Sequence, residues 1–118
     1  MDAFEDLEVW KRSNTLAADI YNSLKTSKEY SLKDQIIRSA ISIPSNIAEG
    51  FERNSPKQFA HFLKIAKGSC GELRSQLYIC ASIGTISDES RLKFQSEAKE
   101  ISMMLSGLIK HCQKSIIK

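Results

Sequence analysis

The spacing of hydrophobic residues along the chain predicts four long helices and no strands. Apolar residues recur at alternating intervals of three and four from about Asp6 to Lys25, Lys28 to Arg53, Pro56 to Ile83, and Asp88 to Ile116. This period is typical of amphipathic helices that pack side by side. Because the connections are short, neighbouring helices should run antiparallel. The pattern therefore predicts an all-α fold, an antiparallel up-down-up-down four-helix bundle that forms a single domain over residues 1–118.

Capping residues mark the starts of the second and third helices. Ser55 is placed to cap the third helix, with Pro56 at its first position and Gln58 at capping-box spacing. Thr26 and Glu29 show the same capping-box spacing ahead of the second helix. We therefore expect a short polar connection before each of these helices.

The third helix carries the most regular apolar line of the chain, and the first helix carries a similar one. The predicted core line of the third helix is Phe59, Leu63, Ala66, Cys70, Leu73, Leu77 and Cys80. In the first helix the residues at this spacing are Leu7, Trp10, Asn14, Ala17, Tyr21 and Leu24, with Val9, Leu16 and Ile20 beside them. Gly68 and Gly71 interrupt the third helix, and an internal glycine costs about 1 kcal/mol relative to alanine. We expect another helix to approach closely there, unless the glycines are tolerated defects.

Residues 35–53 of the second helix carry three lines of side chains instead of one apolar face. The lines are Ile36, Ile43 and Ile47; Ile37, Ile41, Pro44, Ala48 and Phe51; and the polar Gln35, Arg38, Ser42, Asn46, Glu49 and Arg53. A helix with two apolar lines needs two sets of neighbours, since an ordinary surface helix has one apolar face. One line is therefore expected in the bundle core and the other against a neighbouring subunit. Pro44 lacks a backbone donor, so we predict a kink there rather than a break.

The polar line of the second helix has two interpretations. It is either a solvated face with a modest Glu49–Arg53 pair or a hydrogen-bonding network across a subunit interface. The flanking apolar lines favour the interface, whose candidate residues are Ile37, Ile41, Ser42, Asn46, Glu49 and Phe51. Arg38 and Arg53 would alternatively face a shared channel.

The chain is mildly basic, with a net charge of +3 and a pI of about 8.8. This charge permits a nucleic-acid partner without requiring one. The side of the third helix away from its core line gathers five basic residues, Lys57, His61, Lys64, Lys67 and Arg74, against one acidic residue, Glu72. They form either a phosphate-contacting stripe or a solvated face, and the lack of an aromatic platform among them favours the solvated face. The candidate nucleic-acid contacts are Lys57, Lys64, Lys67 and Arg74, with Arg38 and Arg53 as second choices.

Sequence signatures of enzymes and cofactor sites are absent. The two histidines form no zinc motif, and no nucleophile motif or phosphate loop occurs. We therefore predict no catalytic residue, no metal site and no cofactor.

Cys70, Cys80 and Cys112 contain no CxxC pair and are expected to be reduced core residues. No apolar run is long enough to span a bilayer, and the acidic beginning of the chain is unlike a secretory signal. The protein is therefore expected to be cytoplasmic.

Three stretches of the sequence resemble one known family. QIIRSAISIPSNIAEGFER at 35–53 resembles the pattern Q-x-x-R-A/S-x-x-S-I-P-x-N-I-A-E-G-x-x-R. FEDLEVWKRS at 4–13 resembles F-x-D-L-x-V-W, and FAHFLKIAKGSCGEL at 59–73 resembles F-x-x-F-L-x-I-A-x-G-S-x-x-E-L. These patterns mark the bacterial four-helix-bundle proteins encoded in 23S ribosomal RNA intervening sequences. The main departure is Ser39, where many relatives have alanine.

The resemblance implies an antiparallel bundle that assembles into a homopentamer around a central opening. A more distant similarity to the accessory proteins of diversity-generating retroelements implies nucleic-acid binding and a reverse transcriptase as a protein partner. The expected function is a non-enzymatic oligomer that binds RNA or DNA, or a nucleic-acid enzyme, through basic surface. The alternative is a structural or protein-interaction module with no nucleic-acid binding. No membrane partner is expected for either.

Overall fold

The computed structural model describes residues 2–117, and this part of the chain contains four α-helices and no strand. The helices are α1 (Glu8–Leu24), α2 (Tyr30–Glu52), α3 (Pro56–Ser82) and α4 (Asp88–Ile117), and a short 3₁₀ helix, Phe4–Asp6, precedes α1. Each end lies within two residues of its predicted position. The all-α prediction is therefore confirmed. Met1 and Lys118, the ends of the predicted domain, lie outside the described residues.

Each helix packs against its neighbours in sequence, and α1 also packs against α4, which closes the bundle. Within residues 2–117 no Cα atoms of α1 and α3, or of α2 and α4, come within 8 Å of each other across the diagonal. Ser39 of α2 contacts Glu72 of α3, and Gly50 lies against Phe62, so early residues of one helix meet late residues of the other. This order is antiparallel. The molecule measures 50 × 21 × 19 Å, which is one long helix by two helix diameters.

The core line predicted for α3 is buried from Leu63 to Cys80, and Phe59 is half-buried. The line predicted for α1 is wrong at Asn14 and Tyr21, which are exposed. The buried residues of α1 are Val9, Ser13, Leu16, Ala17, Ile20 and Leu24. Ser13 can occupy the core because its hydroxyl donates to the Trp10 carbonyl at 3.0 Å, which leaves no polar atom without a partner.

Helix α2 runs unbroken through Pro44, so the proline does not end it. The kink itself stays a prediction. Its first apolar line, Ile36, Ile43 and Ile47, is completely buried in the bundle. The second line divides, since Pro44 is buried whereas Ile41 is 50% exposed. The first line therefore lies in the bundle core, and the second line is only partly covered within the described chain.

The predicted cap of α3 is present and the predicted cap of α2 is not. Ser55 Oγ accepts from the backbone nitrogen of Gln58 at 3.4 Å, with Pro56 in the first turn. The capping box assigned to Thr26 and Glu29 is wrong, because α2 begins one residue after Glu29. The backbone nitrogen of Glu29 donates instead to Ser27 Oγ at 3.1 Å, and this local bond uses the donor that the capping box required.

The close helix approach predicted at Gly68 and Gly71 does not occur within the chain. No described atom lies within 4 Å of a Cβ added at either position, because both face outward. The close approach lies at Gly50 of α2, where an added Cβ would be 2.6 Å from Phe62 Cβ and 3.1 Å from Phe59 Cδ1. Any side chain at this position would force α2 and α3 apart.

The three cysteines are free and buried, as the sequence predicts. Burial raises the pKa of the Cys70 thiol to about 11, although Arg74 and Lys67 oppose this shift. Burial also raises the pKa of Cys80 and of Cys112. All three thiols are therefore protonated core groups near neutral pH.

Candidate nucleic-acid interface

The turn between α2 and α3 places the end of one helix beside the start of the next. Asn54 adopts a left-handed conformation with φ of 53°, and Ser55 then caps α3. Asparagine tolerates this conformation better than most residues. The reversal takes only residues 53–55. As a result Arg53, at the end of α2, lies next to the first turns of α3.

The close contact at Gly50 fixes the two aromatic residues of α3 that lie nearest to this turn. Phe59 points inward and meets Phe51 edge to face, with ring centroids 5.8 Å apart. Phe62 remains half-buried on the outer side. The guanidinium carbon of Arg53 lies 5.0 Å from the centroid of the Phe62 ring, and the His61 ring lies 5.3 Å from it. An arginine from α2 and an aromatic ring from α3 thus form one surface.

Around this pair lies a cavity of about 700 Å³, here called the basic cavity. The side chains that line the cavity include an arginine and two lysines with permanent positive charge, a histidine and an amide that add polar groups, and an aromatic ring that supplies an apolar face. These residues are Arg53, Lys57, Lys64, His61, Gln113 and Phe62. Among the described residues that line the cavity, none is acidic. The volume lies in the range of ligand sites in proteins.

One feature raises the positive potential of the basic cavity further, and a second leaves Arg53 available to a ligand. Lys57 lies in the first turn of α3, where the unpaired backbone N–H groups carry the positive end of the helix dipole. Arg53 is paired with Glu49 at 3.2 Å, but both side chains are about half exposed, at 48% and 51%. An exposed pair of this kind contributes little free energy. Arg53 can therefore exchange its carboxylate partner for a ligand anion at small cost.

The other predicted nucleic-acid contacts lie outside the basic cavity. Lys67 and Arg74 are exposed and continue along the outer side of α3; Arg74 lies 17 residues, or about 26 Å, beyond Lys57. Arg38 is 15 residues before Arg53, about 22 Å along α2, in a shallow concavity shared with Asp34. The structure thus brings Arg53, Lys57 and Lys64 together and leaves Arg38 apart.

The polar line of α2 forms hydrogen bonds inside the chain. Ser42 Oγ lies 2.9 Å from Ser69 Oγ, and Asn46 Nδ2 donates to the Ser42 carbonyl at 2.8 Å. The buried Ser39 hydroxyl contacts the Glu72 carboxylate. These groups therefore join α2 to α3 within one chain.

The other candidate interface residues either pack within the chain or remain exposed. Phe51 packs on Phe59, and Glu49 pairs with Arg53. Ile37 is half-buried, whereas Ile41 is 50% exposed and faces a groove that also contains Tyr21. Among these candidate interface residues, Ile41 is thus the apolar one whose side chain is least covered by the rest of the described chain.

Sequence reasoning missed Phe62 as a possible binding residue. Phe62 is five residues after Lys57 and two before Lys64, so it lies off the line of basic residues on a helical projection. It joins them only because Arg53 of the neighbouring helix reaches across its ring. The one available signal was Gly50, whose small size permits the approach of α3.

Within residues 2–117 no three His, Cys, Asp or Glu side chains come close enough to hold a metal ion. None of the helices described has the length and hydrophobicity required to cross a membrane.

Comparisons with known proteins agree on one family. A family model described as 23S rRNA-intervening sequence protein matches residues 5–107. The chain is also similar to a crystal structure of a protein with unknown function from the S23 ribosomal protein family of Bacteroides thetaiotaomicron VPI-5482. The two share 29% sequence identity and a TM-score of 0.81, over 86% of this chain and 98% of the other. No curated protein matches the sequence.

Proposed function

This chain belongs to the 23S rRNA-intervening sequence protein family, and on that premise we propose that it is a non-enzymatic, oligomeric protein that binds RNA or DNA. The observation that carries the proposal is the convergence of Arg53, Lys57 and Lys64 on a cavity with no acidic lining residue among those described. Lys67 and Arg74 extend the positive surface along α3. Charge gathered in this way attracts the phosphate backbone without regard to sequence.

Binding through phosphates should depend steeply on salt. If about four cations each contact a phosphate, log affinity should fall with log salt at a slope of about −3 to −4. Raising KCl from about 50 to 200 mM would then weaken binding roughly 100-fold. Fluorescence anisotropy on mixed RNA measures this slope directly.

A charge-matched pair of variants tests where the nucleic acid binds. In the first variant Lys57, Lys64, Lys67 and Arg74 are changed to Ala. In the control, four exposed lysines elsewhere, Lys11, Lys25, Lys28 and Lys99, are changed to Ala. We expect the first variant to lose its affinity for RNA and the salt dependence of that affinity. The control should retain most of both. Equal losses would place the site elsewhere, and no binding by the natural protein at low salt would refute the function.

We propose further that copies of the chain assemble through the outer side of α2, as the homopentamer implied by the family resemblance. Ile41 and Tyr21 are 50% and 51% exposed on either side of one groove between α1 and α2. Exposed apolar residues grouped in this way are typical of interaction sites. A second copy would remove this apolar area from water.

Light scattering of the variant Ile41→Asp tests this assembly. We expect its helical circular dichroism to be retained while its mass falls to that of smaller species. The matched control is Leu92→Asp, since Leu92 is 58% exposed on α4. A natural protein that is monomeric at micromolar concentration would contradict the proposed assembly.

A protein-interaction module without nucleic-acid binding is the second candidate. It is favoured by Ile79 in the last turn of α3 and Ile83 directly after the helix, which are 51% and 54% exposed. A nucleic-acid enzyme such as a reverse transcriptase is the proposed partner. A complex that survives nuclease treatment and is lost in Ile79→Asp would support this candidate. Cytoplasmic location is proposed for either function, since free, buried cysteines are typical of proteins in reducing compartments.

A further inference from the structure

We propose that the basic cavity holds an unpaired nucleotide, whose base stacks on the Arg53–Phe62 pair and whose phosphates contact Lys57 and Lys64. The inference rests on the proposed nucleic-acid binding and adds to it the form of nucleic acid and the place where one base is held. Single strands, loops and frayed ends offer such a nucleotide, whereas the interior of a duplex does not.

The aromatic and cationic groups of the cavity are those that single-stranded nucleic acid requires. Arginine and phenylalanine both stack on nucleic-acid bases, and Arg53 lies over the Phe62 ring at 5.0 Å. Half of the Arg53 side chain remains exposed at 48%, so the pair offers an open surface. The aromatic platform that the sequence lacks along α3 is thus created by two helices together.

The phosphate-binding groups lie on two sides of this platform. Lys57 and Lys64 are seven residues apart on α3, which separates their backbones by about 10 Å. The amide of Gln113, from α4, enters the same cavity and can donate to or accept from a base edge. A nucleotide carries an anionic group, a flat aromatic face and a polar edge, and the cavity provides a counterpart for each.

The base must be unpaired because stacking requires that one of its faces is accessible. Inside a duplex both faces of a base are covered by its neighbours, so the Arg53–Phe62 pair can reach a face only when the base is extruded or single-stranded. The exposed Lys67 and Arg74 lie farther along α3. They can contact the backbone of the same strand where it leaves the cavity.

Fluorescence anisotropy with three probes tests the proposal: a short single-stranded RNA, a duplex of the same sequence, and an abasic strand with the same number of phosphates. We expect the single strand to bind roughly tenfold more tightly than the abasic strand, because one stacked base contributes about that much. The duplex should bind through its phosphates alone, so its affinity should not depend on the Phe62 ring. Equal affinity for all three probes would overturn the inference and leave the proposed function intact, whereas no binding of any probe would refute both.

The variant Phe62→Leu removes the ring and keeps the Cβ that packs against Gly50. We expect roughly tenfold weaker binding of the single strand, no change for the abasic strand and an unchanged salt slope.

The variant Arg53→Lys keeps the charge without the planar group and should lower single-strand preference in the same way. Tyr78→Leu is the control, since it removes a similar arginine–aromatic pair at the other end of the bundle. Unchanged single-strand binding in both Phe62→Leu and Arg53→Lys would contradict the site.

A peptide of alternating glutamate and tyrosine tests the competing ligand. It also carries anionic and aromatic groups, carboxylates and phenol rings, on a peptide backbone. We expect it to bind more weakly than RNA of equal charge. Tighter binding of the peptide, with the same loss in Phe62→Leu, would assign the cavity to an acidic protein segment instead.

Discussion

Each end of the bundle carries an arginine over an aromatic ring, and the two pairs differ in what surrounds them. At one end Arg53 lies 5.0 Å from the Phe62 ring, and at the other Arg91 lies 5.2 Å from the Tyr78 ring. Arg91 donates to Gln95 Oε1 at 2.9 Å and to Asp88 Oδ1 at 3.4 Å. Its side chain is only 19% exposed, whereas that of Arg53 is 48% exposed. Each arginine pairs with a carboxylate of its own helix, Glu49 for Arg53 and Asp88 for Arg91, so the two settings differ in how far the arginine is open to solvent.

The difference arises from the first turns of two helices. The first turn of α4 contains Asp88 and Glu89, which balance the helix dipole and the nearby arginine. The first turn of α3 contains Lys57 and no acidic residue. Positive charge at a helix N-terminus is locally unfavourable. The start of α3 thus lacks the acidic residues that accompany the arginine of α4, and a bound anion can supply the missing negative charge.

The largest effect should follow from giving the α3 end the acidic first turn that α4 has. We expect Lys57→Glu to weaken RNA binding by roughly 30-fold, because a phosphate contact is replaced by repulsion. The same variant should melt at a slightly higher temperature, since glutamate suits the helix N-terminus. Anisotropy and thermal melting measure the two outcomes. A loss of binding accompanied by a loss of stability would indicate disrupted folding rather than an altered site.

The next effect concerns the contact that positions Phe62. We expect Gly50→Ala to destabilise the chain by about 1 to 3 kcal/mol, because the new Cβ would overlap Phe62 in a packed contact. Gly68→Ala is the matched control and should stabilise α3 by about 1 kcal/mol, since its position is open. Urea denaturation measures both. Equal signs for the two variants would contradict the assignment of the close approach to Gly50.

Replacing each arginine by alanine should separate the two ends by function. Arg91→Ala should lower the free energy of unfolding by about 1 kcal/mol, because it removes two hydrogen bonds and a ring contact made by a side chain that is 19% exposed. Arg53→Ala should change stability by less than about 0.5 kcal/mol and weaken single-strand RNA binding. The comparison fails if Arg91→Ala weakens RNA binding as much as Arg53→Ala does.

The smallest effect should appear in the reactivity of the cysteines. Cys112 lies near the end of α4, lines a separate cavity at the same end of the bundle as the basic cavity, and is 4% exposed, whereas Cys70 and Cys80 are fully buried. Helix ends open more readily than bundle centres. Alkylation followed by mass spectrometry should therefore label Cys112 first.

Cys70 should react most slowly, with a rate that rises towards pH 11, because burial raises its pKa to about 11 and only the thiolate reacts. Bound RNA should slow labelling of Cys112; an equal delay at Cys80 would indicate a general change in stability.

The sequence by itself determined the helices and their connections. The core line of α3 and the Ser55 cap could be predicted because helical period and capping depend on residues close together in the chain. The same reasoning found two apolar lines on α2, but only the structure decided that Ile36, Ile43 and Ile47 form the buried one. It also identified Lys57 and Lys64 as candidate contacts, since both lie on one side of one helix.

Only the tertiary structure decided which of two adjacent faces turns inward and which residues of different helices meet. In α1, Ser13 and Ile20 are buried while Tyr21 is exposed, although the apolar period fitted either line. In the candidate site, Arg53 and Phe62 meet because a turn at 53–55 reverses the chain and Gly50 lets two helices touch. Periodicity is a property of one helix, whereas these contacts depend on the packing of several helices around a shared core.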